Sequence, residues 1–227
     1  MCGRFTLTQT GPVLMDELGL LSIPEDYRPR FNIAPGQLVL AARDSGGQRR
    51  AAMLRWGLIP PWAKEISIGY KMINARSESV SQKPSFKRAF EQRRCIIPAD
   101  GFYEWRKEGR TKIPMRFRLR GGRVFAFAGL WESNTRVADE PLFTCTILTT
   151  TANELVGKIH DRMPVILTGE AIDMWLDPDV PGDGVRPLLR PYPAGEMEAY
   201  EVSPRVNSAA HDDPELIEPV QGGLDFG

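Results

Sequence analysis

Between residues 95 and 130 the chain is cut into short apolar runs by closely spaced turns. That rhythm limits the fold more than any other feature of the sequence. Cys95-Ile96-Ile97-Pro98 reads as a buried strand closed by Pro98, and Gly101-Phe102-Tyr103-Glu104-Trp105 as the next. Glu108-Gly109-Arg110 turns the chain into residues 112–119, where Arg116, Arg118 and Arg120 alternate with Phe117 and Leu119. Gly121-Gly122 turns it again into residues 124–130. Runs joined this tightly can only pair antiparallel, because a parallel pair needs a crossover of a dozen or more residues.

The same pattern recurs on both sides. Residues 37–42, 50–54, 143–150, 164–167 and 198–202 read as further strands, with Asp44-Ser45-Gly46-Gly47 as a turn. Helices are short. Thr10-Gly11-Pro12 opens one that Gly19 ends, 85–93 is basic, 152–159 is brief, and Thr168 caps one to Leu176. Arg55-Trp56-Gly57-Leu58-Ile59-Pro60-Pro61-Trp62 holds too much Pro and Gly for regular structure, so its two Trp are core plugs or a stacking surface. From Ser208 onward the chain is polar and Pro-containing and reads as a tail. The expectation is α+β: a single domain over 1–207, with a mostly antiparallel, barrel-like β-sheet core flanked by short helices, and a polar C-terminal tail over 208–227.

With 227 residues and 42% hydrophobic content, the chain can bury a substantial core. It holds no apolar run of about 18 residues for a membrane span, and no basic-then-apolar leader. Cys2, Cys95 and Cys145 are too few and too scattered for a disulfide framework or structural zinc. These features point to a cytoplasmic, nucleoid-associated protein with reduced thiols, no cofactor and no metal. Net charge is zero, yet residues 1–120 carry 22 Lys and Arg against 11 Asp and Glu, and the remainder reverses the balance. Such asymmetry suggests a basic face for an anion, unless the two halves fold together and neutralise each other.

Chemistry is concentrated at the start. If Met1 is removed, Cys2 carries a free α-amine beside its thiol. The amine has an ordinary pKa of roughly 7.7–8.0, so part of it is neutral and nucleophilic near pH 7. An amine condenses with an aldehyde to an imine, and the neighbouring thiol can close on the imine carbon to give a thiazolidine. Taken alone, Cys2 reads as an accident of the start codon, and only its company in the rest of the chain changes that. His160 lies between a helix and a strand in Lys158-Ile159-His160-Asp161-Arg162-Met163-Pro164, a junction type that often places side chains in a site. Glu104 stands among aromatics, either desolvated with a raised pKa suited to acid–base work or pointing from an edge strand to water. Asn74 and Arg76 alternate in an extended segment and point the same way, an amide and a guanidinium suited to a phosphate.

Several segments together resemble the SRAP family, the SOS response-associated peptidase proteins, also described as abasic-site processing proteins. They are MCGRF, FNIAPGQ, RWGLIPPW, INARSES, RRCIIPADGFYEW, FAGLW, TILTTTAN, IHDRMPVIL and VSPRVN, in family order from residue 2 to about 207. The resemblance implies a monomer that meets abasic sites in single-stranded DNA during the DNA damage (SOS) response. Cys2 would form a thiazolidine DNA–protein crosslink there, with Asn74, Glu104 and His160 as active-site partners. It further implies DNA contacts from Arg4, Trp62, Arg76, Thr149 and Arg162, and weak lyase activity where an imine fails to close. The family's older name keeps a cysteine peptidase that processes its own N-terminus as the alternative.

Overall fold

In the computed structural model, which describes residues 2–226, the strands in chain order are β1 (Phe5–Leu7), β2 (Arg30–Ile33), β3 (Leu38–Asp44), β4 (Arg49–Trp56), β5 (Asn74–Arg76), β6 (Arg94–Ala99), β7 (Gly101–Glu108), β8 (Thr111–Leu119), β9 (Phe125–Asn134), β10 (Leu142–Thr151), β11 (Arg162–Pro164), β12 (Ile166–Leu167) and β13 (Met197–Glu201). The helices are short: α1 (Gly11–Leu18), α2 (Lys87–Gln92), α3 (Glu170–Leu176) and α4 (Gly182–Val185). None is long and apolar enough to cross a membrane. The chain is one α+β domain, as its turn rhythm requires.

Two sheets make the body. β10, β4, β3, β6 and β9 pair in that order, and β9 returns to β10, which closes a five-strand barrel. An open sheet in the order β13-β8-β7-β1-β2 lies beside it. Closure leaves the barrel strands no exposed edge along most of their length. Phe5, Phe102, Phe117, Phe127 and Trp56 are all buried, and their rings meet at centroid distances of 5.1 to 6.4 Å, binding the open sheet to the barrel. Each such ring buried from water stabilises the fold by about 1.5–3 kcal/mol.

β10 is the barrel strand that reaches the site. Its first half pairs with β9 and, in parallel, with β4; its second half pairs with β11 and, in parallel, with β5. The chain between β4 and β5 therefore bulges outward as a loop over residues 57–73. The loop can close because Gly57 has φ 127° and touches Gly69; a Cβ on Gly57 would lie 2.7 Å from the Gly69 carbonyl oxygen. The two Trp here divide the roles left open by the sequence. Trp56 is buried and donates Nε1–H to Ile73 O, whereas Trp62 is 53% exposed.

Three local readings are corrected. Pro98 does not close its strand: β6 runs on to Ala99, and Pro98 pairs with Ala126. The proline is tolerated because β3 meets β6 only at Ile96, so its missing N–H removes no ladder bond. Residues 152–159 form only a 3-10 turn, Val156–Lys158. Asn153 starts the turn by accepting the Val156 N–H at Oδ1, and its Nδ2 donates to Tyr192 O, which ties the segment down. Thr168 does not cap α3; Gly169, at φ 51°, occupies the cap position with no side-chain bond.

The segment after Ser208 is polar, and His211 is exposed, but the segment is not loose. Asp212 accepts the Phe31 and Asn32 N–H groups and pairs with Arg30 along the outer edge of β2. Leu216 is fully buried with Tyr103, Tyr200, Val202 and Val206. Val202 bridges to Pro219, and Tyr200 to Asp225. All three cysteines are free and buried.

Candidate active site

β1 delivers the start of the chain into the junction between the sheets. It pairs antiparallel with β7, Phe5 opposite Phe102, and Arg4 O accepts the Tyr103 N–H at 2.9 Å. Continued, that register sets Gly3 opposite Glu104, which leaves the neighbouring Cys2 within reach of the Glu104 charge. Cys2 is completely buried, and from the barrel side Asn74 at the head of β5 donates Nδ2–H to Cys2 O at 2.8 Å. Burial drives the Cys2 thiol well above the ordinary thiol range, and the Glu104 carboxylate adds to the shift. The thiol is a protonated group, directed at Arg4 O 3.8 Å away.

Glu104 is 4% exposed, so the aromatic strand desolvates it and does not turn it to water. Burial raises its pKa above the usual carboxylate value, and the charge of His160 partly offsets the rise. His160 sits between the 3-10 turn and β11, as the sequence places it. Its Nδ1 accepts the Arg162 N–H at 3.0 Å, which makes Nε2 the proton-bearing nitrogen of the neutral ring. The exposed Asp161 carboxylate also lies 3.0 Å from Nδ1, a contact that is an ion pair only when the ring is protonated. Cys2, Asn74, Glu104 and His160 thus come together from four separate strands and turns.

Arg162 and Thr149 are held by partners inside the fold. Both are buried. The Arg162 guanidinium makes a two-pronged bond to Glu78 at 2.5 and 3.0 Å and donates to Thr149 O at 2.6 Å. The same bond holds the Glu78 carboxyl below its usual pKa. Their internal partners make them supports for the His160 turn. Glu78 is the member of this set that sequence reasoning missed. Sequence alone offered little signal for it, because Glu78 lies in the turn just past β5, outside the alternation of Asn74 and Arg76.

Arg4, Arg76 and Trp62 stand otherwise. Arg4 Nη1 donates to Asn32 Oδ1 and Val206 O, both at 2.7 Å, and its guanidinium lies 5.9 Å from the centre of the Trp105 ring. Arg76 is exposed. Among the described residues neither cation has a carboxylate partner, so both keep a charge for an outside anion. Trp62 projects from the 57–73 loop beside Lys64 and Lys71. A cleft of about 450 Å³ opens at the site, lined by Glu104, Trp105, Lys107, Lys112, His160 and Asn207. Trp105 is fixed in it by Nε1–H donation to Asn207 Oδ1 at 2.6 Å. Among the described residues no cluster of His, Cys, Asp and Glu is arranged to hold a metal.

A fully buried cysteine at the head of the first strand, gripped by an amide from the barrel side and lying near a buried carboxyl, defines an α+β protein whose two sheets are built around its own N-terminal segment. The chain belongs to the SOS response associated peptidase (SRAP) family, whose model matches residues 1–209. It is 51% identical over 222 residues to the abasic site processing protein YoqW of Bacillus subtilis (strain 168), covering 96% of this chain and 99% of that one. It is 36% identical to the abasic site processing protein HMCES of Gallus gallus, covering 87% of this chain and 68% of that one. A crystal structure of a Bacteroides thetaiotaomicron protein superposes with a TM-score of 0.88 at 26% identity, over 96% of this chain and all of the other.

Proposed function

We propose that this chain processes abasic sites in single-stranded DNA by forming a covalent thiazolidine through Cys2 once Met1 is removed. Met1 itself lies outside the described residues. The reading is supported by family membership and by relatives named for abasic site processing. The observation that carries it is the grip of Asn74 on the Cys2 carbonyl beside a buried carboxyl with a raised pKa.

Glu104 takes a proton from the Cys2 ammonium, and the neutral amine attacks the ring-opened aldehyde carbon of the lesion. The carbinolamine loses water to give an imine. The thiol then adds: sulfur bonds to the imine carbon, and its proton passes through Glu104 to the nitrogen. The net change is the loss of one water. A thiol held protonated suits this order, because it acts second and within the same residue, so it need not be exposed or ionised beforehand. His160, with its proton on Nε2, donates to the sugar ring oxygen as the ring opens. Asn74 holds the Cys2 backbone still. Arg4, Arg76 and Trp62 take the flanking strand. An imine that fails to close can eliminate the 3′ phosphate, which would give weak lyase activity.

A cysteine peptidase would use a thiolate stabilised by an imidazolium. Here the two largest influences on the Cys2 thiol, burial and Glu104, both oppose ionisation, which favours the crosslinking reading. The test uses an oligonucleotide with one abasic site. Wild type should give a heat-stable adduct whose mass is protein without Met1, plus DNA, less one water. Cys2→Ser should give only adduct that borohydride must trap. If the wild-type adduct also requires borohydride, the end product is an imine and the thiazolidine is wrong.

A further inference from the structure

We propose that Lys107 and Lys112, near the tip of the β7–β8 hairpin, form a phosphate clamp for the DNA strand as it passes beyond the lesion. The proposal rests on the crosslinking reading for the identity of the strand. The two lysines are direct cross-strand partners, so their side chains leave the same face of the hairpin. Like charges set opposite each other destabilise a sheet. Both lysines are exposed, and among the described residues neither has a carboxylate within ion-pair distance; the nearby Glu108 pairs with Arg106 instead. Among the described residues no carboxylate is placed to relieve this like-charge pairing.

Their position gives the repulsion a use. Lys107 and Lys112 line the same cleft as Glu104 and His160. Lys107 lies three residues beyond Glu104, about 10 Å along the strand. The β1 pairing ends before it, so the β7 edge there is open to the cleft. Trp105 lies between, held by Asn207 and covered by the Arg4 guanidinium. Arg4, Lys107 and Lys112 therefore mark a cationic track leading out of the site along the hairpin. Two opposed ammonium groups in a cleft that Trp105 also lines suit a phosphodiester, which would relieve the like-charge pairing.

The experiment measures affinity for an undamaged single-stranded oligonucleotide over a range of salt, for wild type, Lys107→Gln/Lys112→Gln and Lys107→Arg/Lys112→Arg. Losing two phosphate contacts should flatten the slope of log affinity against log salt by about 1.4 and weaken binding on the order of ten-fold near 0.1 M salt. The Arg pair should restore both. With an abasic oligonucleotide at limiting protein, the Gln pair should slow adduct formation in proportion to the lost affinity. A Gln pair with wild-type slope and affinity overturns the clamp and leaves the crosslinking reading intact. Failure of wild type to form any adduct overturns the crosslinking reading, while the slope with undamaged DNA still decides the clamp.

Discussion

Glu104 is the residue at which function and stability pull in opposite directions. Its carboxyl is buried, so the folded state holds its proton more tightly than the unfolded chain does. The sign follows directly. As pH rises from the ordinary carboxylate range through the raised folded value, the native state binds more protons than the unfolded state, and stability falls. Glu104→Gln removes this penalty. Its melting temperature should equal that of wild type near pH 4 and match or exceed it near pH 8, while adduct formation slows by about 10²-fold, the usual worth of an acid–base group. A variant that melts lower throughout and crosslinks at the wild-type rate would make Glu104 a structural residue. The sequence exposed this carboxyl through its neighbours Tyr103 and Trp105, but not its burial. Burial depends on β1 lying against β7, a contact between residues about a hundred positions apart.

The elements around His160 show how far local patterns carry. The strands between residues 95 and 130 were legible because turn chemistry and alternation act within a few residues. The helix expected over residues 152–159 is only a 3-10 turn, and its tie to Tyr192 through Asn153 is a partner that cannot be found from the segment itself. The same limit hid the brace beneath His160. Glu78, just past β5, holds the guanidinium of Arg162 at the head of β11, and the Arg162 backbone N–H fixes His160 Nδ1. Glu78→Ala would leave a buried guanidinium without its carboxylate. Because the Glu78 side chain is 51% exposed, the cost is discounted from the buried-pair range to about 1 kcal/mol, or roughly 2–4 °C in melting temperature. Adduct formation should slow several-fold as the His160 turn loosens, and Glu78→Gln should recover part of the rate. Wild-type kinetics in Glu78→Ala, with the melting temperature lowered as expected, would confine the brace to stability.

Across the whole molecule, the C-terminal segment and the charge distribution both depend on chain halves folding together. Leu216 fills a small cluster against the outer face of the open sheet, so Leu216→Ala should cost about 2–5 kcal/mol and make residues 208–226 sensitive to protease before the rest. Equal protease resistance in variant and wild type would count against this docking. The charge asymmetry read from the sequence is partly cancelled in the fold: Arg30 pairs with Asp212, Arg49 with Asp173, Arg93 with Glu132, and Arg118 with Glu198. A count over half the sequence could not tell these cations from the ones left without a partner. Arg4 and Arg76, beside the site, are among the latter. The distinction is measurable. Arg76→Ala should weaken binding to undamaged single-stranded DNA and flatten its salt slope by about 0.7, the loss of one phosphate contact. Arg49→Ala removes the same formal charge from a guanidinium already held by Asp173 and Leu18 O, and should leave the slope unchanged while lowering the melting temperature. If the two variants shift the slope equally, net charge governs binding and the unpaired cations around the cleft have no special part in it.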